Sequence, residues 1–166
     1  MTINTNLNKS TPSNFELVLS KFPTEVDITP NKELTLNIYG TVIPSVNIST
    51  LYAYWQGAKT TQDGEVQFTD WIVNYTVDSN FDNWQILYKW LTYVKNNKDK
   101  MGEDPLKYAI SASMVVTDNF RRRVLTVNFG NVWLMDLGEV SFSHRDYDVN
   151  LESTITLMYD YYTLGT

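Results

Sequence analysis

The chain has 166 residues, 43% of them hydrophobic, which suits one domain with a sizeable core. Nineteen acidic side chains against thirteen basic ones leave a net charge of −6, which argues against tight nonspecific DNA binding through phosphate neutralisation. With no cysteine, disulfides and thiolate metal sites are excluded.

The opening MTINTNLNKSTPSN is polar, so residues 1–13 are expected to form a flexible arm, with a single domain over 14–166. It holds no apolar run suited to a signal peptide, and no later run approaches a membrane span; a soluble, non-secreted protein without a membrane anchor is expected. Phe15, Leu17 and Leu19 alternate with Glu16, Val18 and Ser20, predicting a first strand. Leu34, Leu36 and Ile38 share a face of a second strand at 33–39, closed by Gly40 to Pro44. Residues 45–64 have a poor pattern and read as a link, although Leu51, Tyr52, Tyr54 and Trp55 are conspicuously apolar for one. Asp63-Gly64 is read as a turn.

Residues 65–91 carry the clearest signal. Trp71, Val73, Tyr75 and Val77 alternate with Ile72, Asn74 and Thr76, the period of two of a strand with one buried face. Val66 and Phe68 have the opposite parity, so the apolar face changes sides across Thr69-Asp70, as at a bulge or bend. After Asp78 the period lengthens: Phe81, Trp84, Tyr88, Leu91 and Val94 mark an amphipathic helix at about 80–96. Ser79 is the expected cap, with Asp82 adding negative charge near the helix N-terminus.

A charged loop, NNKDKMGEDP, follows. Tyr108, Ile110, Ala112, Met114 and Val116 alternate, and Asp118-Asn119 offers a turn before a partner strand at 122–129. The last strand spans about 151–162, with Ile155, Leu157, Tyr159 and Tyr161 on one face. Strands outnumber helices about six to one. The expected fold is therefore mainly β: an antiparallel β-sandwich or barrel-like sheet with one packed α-helix.

Catalytic chemistry has little support. His144, the only histidine, has no nucleophile or acidic partner at a committed spacing, and reads as a surface or interface residue. Asp99, Glu103 and Asp104 lack the spacing of a calcium loop and read as solvated. Arg121, Arg122 and Arg123 near a hairpin tip read as ion-pairing with a neighbouring subunit's carboxylates, with a solvated turn as the alternative. Eleven tyrosines and five tryptophans exceed what a small core hides with every polar tip satisfied, so some are expected at an interface. Trp133, set among Gly130, Asp136, Gly138 and Glu139, is a candidate. No enzyme activity and no cofactor or metal is expected.

The stretch FTDWIVNYTVD leading into a helix, the earlier Gly40-Thr41-Val42-Ile43-Pro44, the later Gly130-Asn131-Val132-Trp133 and Leu137-Gly138-Glu139-Val140, and the closing strand ending in Tyr161-Tyr162 together resemble tail tube proteins of contractile-tailed bacteriophages. Their order and spacing carry the resemblance, over about residues 14–162; segments 45–64 and 96–105 match poorly. The resemblance implies the phage tail-tube fold in a structural virion protein. It implies hexameric rings whose strands join into a shared barrel, stacked into an inner tube that conducts DNA without binding it specifically. Sheath, baseplate and tape-measure proteins are the implied partners, in a tail assembled in the host cytoplasm. A baseplate tube initiator or a tail terminator of the same fold is the alternative, and a monomeric carbohydrate-binding β-sandwich the alternative from another class.

Under this reading the polar faces carrying Asn74, Thr76, Thr154, Thr156 and Asp160 line the channel, while Trp71, Val73, Tyr75, Ile155, Leu157 and Tyr159 pack under the helix. Tyr52, Tyr54, Trp55, the three arginines and Trp133 are candidate contacts between subunits or rings. By analogy with the family, segment 45–64 and the N-terminal arm reach the next ring.

Overall fold

A computed structural model describes residues 11–20, 22–23, 26, 37–98, 107–144 and 149–165. The segments 1–10, 33–36 and 99–106 lie outside them, and with them most of the expected arm, most of the expected second strand, and Asp99, Glu103 and Asp104. Nine strands and one helix follow in order among the described residues: β1 (Phe15–Leu19), β2 (Ile38–Thr41), β3 (Val46–Trp55), β4 (Ala58–Phe68), β5 (Trp71–Thr76), α1 (Asp82–Lys98), β6 (Ile110–Thr117), β7 (Arg123–Leu137), β8 (Glu152–Met158) and β9 (Tyr161–Gly165).

All pairings are antiparallel. The main sheet runs β1-β6-β7-β8-β5-β2, with β9 also paired to β7, while β3 and β4 form a separate hairpin. The first half of β7 lies between β6 and β9, and its second half pairs with β8. One strand thus passes from one half of the sheet to the other. A bulge makes the corner: Ser111 of β6 faces both Gly130 and Asn131, because Ile110 pairs with Val132 and Ala112 with Phe129. Asn131 takes a left-handed φ of 56° there, and such bulges bend the bulged strand.

That corner corrects the reading of the last strand. Residues 151–162 form no single strand but break at Tyr159-Asp160, because β8 and β9 follow different halves of the bent β7. The amide of Asp160 donates to the Gly130 carbonyl at 3.2 Å, and Asn131 Nδ2 donates to the Asp160 carboxylate at 2.6 Å. A Cβ on Gly130 would sit 2.8 Å from the Tyr161 hydroxyl, so the close crossing needs a glycine. The same geometry places Trp133 inside β7, and extends that strand well beyond the predicted 129.

The core is one cluster built from the inward parity of the strands and one face of the helix. Trp71, Val73 and Tyr75 of β5, Ile155 and Leu157 of β8, Val127, Phe129, Val132 and Leu134 of β7 and Leu87, Trp90 and Val94 of α1 all belong to it. Burying each such side chain contributes about 1.5–3 kcal/mol. The indoles are satisfied where they are deepest: Trp71 Nε1 donates to Thr41 Oγ1 at 2.9 Å, and Trp90 Nε1 to the Tyr108 carbonyl at 3.0 Å.

The helix begins later than predicted, and Asp78, not Ser79, caps it. Asp78 Oδ1 accepts from the amide of Asp82 at 2.8 Å and Oδ2 from that of Asn83 at 3.3 Å. Fully buried Asn83 answers by accepting from the Asp78 amide and donating to the Thr76 carbonyl. Phe81 takes a left-handed φ of 61°, and the loop's path puts Asp78 under the first free amides, where a carboxylate also meets the helix dipole.

The largest correction concerns 45–64. This segment is most of a long hairpin, turned at Gln56-Gly57, whose φ values of 49° and 82° suit a two-residue loop. Asp63-Gly64 lies inside β4, where Ser49 faces two residues, Gly64 and Glu65. The parity change at Thr69-Asp70 is the junction between this hairpin and the main sheet: β4 ends at Phe68 and β5 begins at Trp71.

Candidate subunit interface

Register gives the hairpin two unlike faces. Val46, Ile48, Thr50, Tyr52 and Tyr54 of β3 oppose Phe68, Val66, Asp63, Thr61 and Lys59 of β4, so one face is apolar at the root and carries two tyrosines toward the tip, interrupted at Thr50-Asp63. The other face pairs Asn47 with Gln67, Leu51 with Gln62, Ala53 with Thr60 and Trp55 with Ala58. Beyond Phe68 at the root, both faces are largely exposed among the described residues. Tyr54 and Trp55 are each 74% exposed, and Val46, Ile48, Leu51, Tyr52 and Val66 are exposed too. Lys59 Nζ lies 3.6 Å from the centre of the Tyr52 ring, a cation–π contact that leaves the ring's other side open. A two-stranded hairpin is marginal by itself in water. Its exposed apolar face is the physical mark of a docking element.

At its root the hairpin meets the β8–β9 corner. The Phe68 ring contacts Tyr159 and Tyr162, and both tyrosines lie against Phe129. Burial, then the neighbouring Tyr162 and Asp70, push the Tyr159 phenol up to about 12. Its hydroxyl therefore stays a donor across the ordinary pH range.

The predicted polar row on the main sheet is assembled by pairing: Asn74 lies opposite Thr154, Ile72 opposite Thr156 and Thr76 opposite Glu152. Asn74, Thr76, Thr154 and Thr156 are half-buried and of opposite parity to the core residues, and Thr154 Oγ1 donates to Asn74 Oδ1 at 2.9 Å. Exposed Asp136 continues the row opposite Thr156, and Tyr39 hydrogen-bonds Glu152 at 2.8 Å. Strands β2, β5 and β8 and the second half of β7 carry no lysine or arginine, so the face is acidic to neutral. Asp160 is set apart from this row, at the β8–β9 turn.

Arg121, Arg122 and Arg123 lie at the β6–β7 tip, all exposed. Asp118 organises the loop by accepting from the amides of Phe120 and Arg122 at 2.8 Å. The Arg122 guanidinium lies 5.2 Å over the Phe120 ring, which is 70% exposed. Seven steps along β7 lead from Arg123 to Gly130 at the corner, roughly 23 Å at about 3.3 Å each, so the tip and the hairpin root are distant. Trp133 is half-buried opposite Met158. His144 is exposed, outside strand and helix. Among the described residues no group of acidic and histidine side chains is placed to hold a metal ion.

Sequence reasoning missed Val46, Ile48, Val66 and the root tyrosines as parts of one element. The available signal was the shared parity of Val46, Ile48, Tyr52 and Tyr54, hidden because no core-facing contrast accompanies it.

No protein-family model matches the chain. It is 27% identical over 140 residues to the tail tube terminator protein of Enterobacteria phage T4, covering 77% of this chain and 76% of that one. Among solved structures it superposes on a chain of the PVC sheath-tube complex, an extracellular contractile injection system, with a TM-score of 0.68, 14% identity and 99% of both chains covered. A chain of the PVC sheath/tube terminator matches with a TM-score of 0.65 and 14% identity, over 95% of this chain and 97% of that one. No helix among the described residues is long and apolar enough to cross a membrane. The expected tail-tube fold is observed, and the glycan-binding alternative has no counterpart among these relatives. The chain therefore has the fold of tube-type proteins and is similar to tube and terminator proteins of contractile systems.

Proposed function

We propose that this protein is the terminator of a contractile tail tube, a ring that caps the last tube ring and meets the sheath there. The sequence relative, itself a tail tube terminator, carries this reading and favours it over the repeating tube subunit. The exposed apolar face of the β3–β4 hairpin supplies a docking surface for the ring beneath, with Tyr52 and Tyr54 near its tip and Trp55 on the opposite face. The acidic to neutral row of Asn74, Thr76, Thr154 and Thr156 would face a channel, repelling phosphates so that DNA passes without sticking. Trp133 and Arg121 to Arg123 are assigned to contacts between subunits or rings, while Asp160, bonded to Asn131 at the β8–β9 turn, is left out of the channel row. A hexameric ring, passage of a tape-measure protein and assembly in the host cytoplasm belong to the same proposal.

Electron microscopy of the purified protein, alone and added to polymerising tube protein of the same tail, tests it. A terminator forms single rings by itself and stops tube growth at one end. Long tubes from the chain alone would instead make it the tube subunit. Strictly monomeric protein that leaves tube length unchanged would refute both.

A further inference from the structure

The hairpin joins the body through two short crossings, residues 42–45 and 69–70. The two legs are tied to each other: the Thr69 amide donates to the Ser45 carbonyl at 3.2 Å, and the Ser45 amide to Thr69 Oγ1 at 3.0 Å. Ties reaching across to the body come from the β8–β9 corner. The Tyr159 hydroxyl donates to the Thr69 carbonyl at 2.9 Å, and the Tyr162 hydroxyl to the Pro44 carbonyl at 3.4 Å. One tyrosine therefore holds each leg. Between them the Phe68 ring lies 5.7 Å from Tyr159 and 5.6 Å from Tyr162, both edge-on. Phe129 backs the pair and stacks on fully buried Trp71 at 3.9 Å, so the anchor is continuous with the core.

We propose that Tyr159, Tyr162 and Phe68 are positioning residues: they set the angle at which the β3–β4 hairpin leaves the body and hold its apolar face ready for the partner ring. The need is geometric. A strand of ten residues reaches roughly 33 Å at about 3.3 Å per residue, so a swing of about 20° at the root displaces the tip by roughly 11 Å. A hairpin fixed in advance avoids ordering that lever on docking, the general advantage of preorganisation. The consequence for docking rests on the proposed role of the hairpin; the fixed angle is a property of the isolated chain.

Because the protein has no cysteine, cysteines placed at exposed Gln62 on the hairpin and Lys89 on the helix accept spin labels at those two sites only. Pulsed electron paramagnetic resonance then reads the distance distribution between them. The parent should give one narrow distance. Tyr159→Phe/Tyr162→Phe, which removes only two hydroxyls, should at least double its width, and Phe68→Leu should broaden it with both hydroxyls present. Tyr39→Phe removes a hydroxyl elsewhere and should leave it narrow. If the double variant fails to melt cooperatively, Tyr162→Phe, which loses only the longer bond, takes its place. Unchanged widths in the root variants overturn the proposal. Folded root variants should also bind preformed tubes of the same tail at least tenfold more weakly, and undiminished binding would discard the docking half. Failure of the parent to bind tubes would sink the terminator reading while leaving the distance result to decide the fixed angle.

Discussion

Replacing Tyr54 with serine should cripple docking while leaving the isolated chain almost untouched. Tyr54 lies on the hairpin's apolar face, opposite Lys59, and is 74% exposed. A tyrosine presents on the order of 200 Å², so roughly 150 Å² is free to be covered. At about 25 cal/mol per Å², complete covering contributes at most about 4 kcal/mol. Aromatic residues at the centre of interfaces cost about 2–4 kcal/mol when truncated, so a loss of about 2–3 kcal/mol is expected, roughly 30- to 150-fold in Kd. The same substitution removes no contact in the core. It should change stability by no more than about 0.5 kcal/mol, less than about 2 °C in Tm for a chain of this size. Trp55 is equally exposed but sits on the polar face, and Trp55→Ser should cost less than tenfold. Co-sedimentation of each variant with preformed tubes of the same tail, titrated over concentration, measures the difference. A large loss from Trp55→Ser with none from Tyr54→Ser would reverse the face assignment, and no loss from either would remove the hairpin from the interface.

Three further outcomes follow from the geometry. Asp78→Ala should destabilise the chain by about 0.5–2 kcal/mol, the range for loss of a helix cap, while Ser79→Ala should stay within about 0.5 kcal/mol; urea denaturation separates them, and the reverse order would refute the cap assignment. In Gly64→Val, the added Cβ would meet the Ser49 carbonyl oxygen at 2.8 Å, so hydrogen exchange should show β3 and β4 losing protection while α1 keeps its own. Tyr159, whose ordinary phenol value of 10.0 rises to about 12 on folding, is held neutral by the fold; its contribution is complete below pH of about 10 and lost as pH rises toward about 12. Urea midpoints should therefore fall across that interval, and Tyr159→Phe should flatten the fall. A parent midpoint that is constant over the same range would contradict this.

The parts of the fold legible in sequence are those with one face against the core. In β1, β5 and β8, and in β6 as far as Met114, the inward residues alternate cleanly, and α1 carries its apolar stripe at helical spacing, because burial within the chain selects one parity or one stripe. The hairpin lacks that contrast. Beyond its root its apolar residues are exposed among the described residues, so they alternate against polar neighbours only in part, and Leu51, Ala53 and Trp55 interrupt the pattern. The polar row of Asn74, Thr76, Thr154 and Thr156 was visible as the other half of a legible alternation. The pivot of Phe68, Tyr159 and Tyr162 was not, because its members come from distant parts of the chain.

By itself, then, the sequence determined the mainly β class, the single long helix and which parity of each core strand is apolar, since these follow from local spacing and the cost of leaving apolar surface in water. Only the tertiary structure decided where that spacing is interrupted. The bulge opposite Ser111 bends β7, and the bend splits the last strand at Asp160 and places Tyr159 and Tyr162 beneath the hairpin. The position of Asp78 under the first helical amides depends likewise on the left-handed turn at Phe81. These choices turn on which groups meet across the fold, information that no residue carries in its neighbours along the chain.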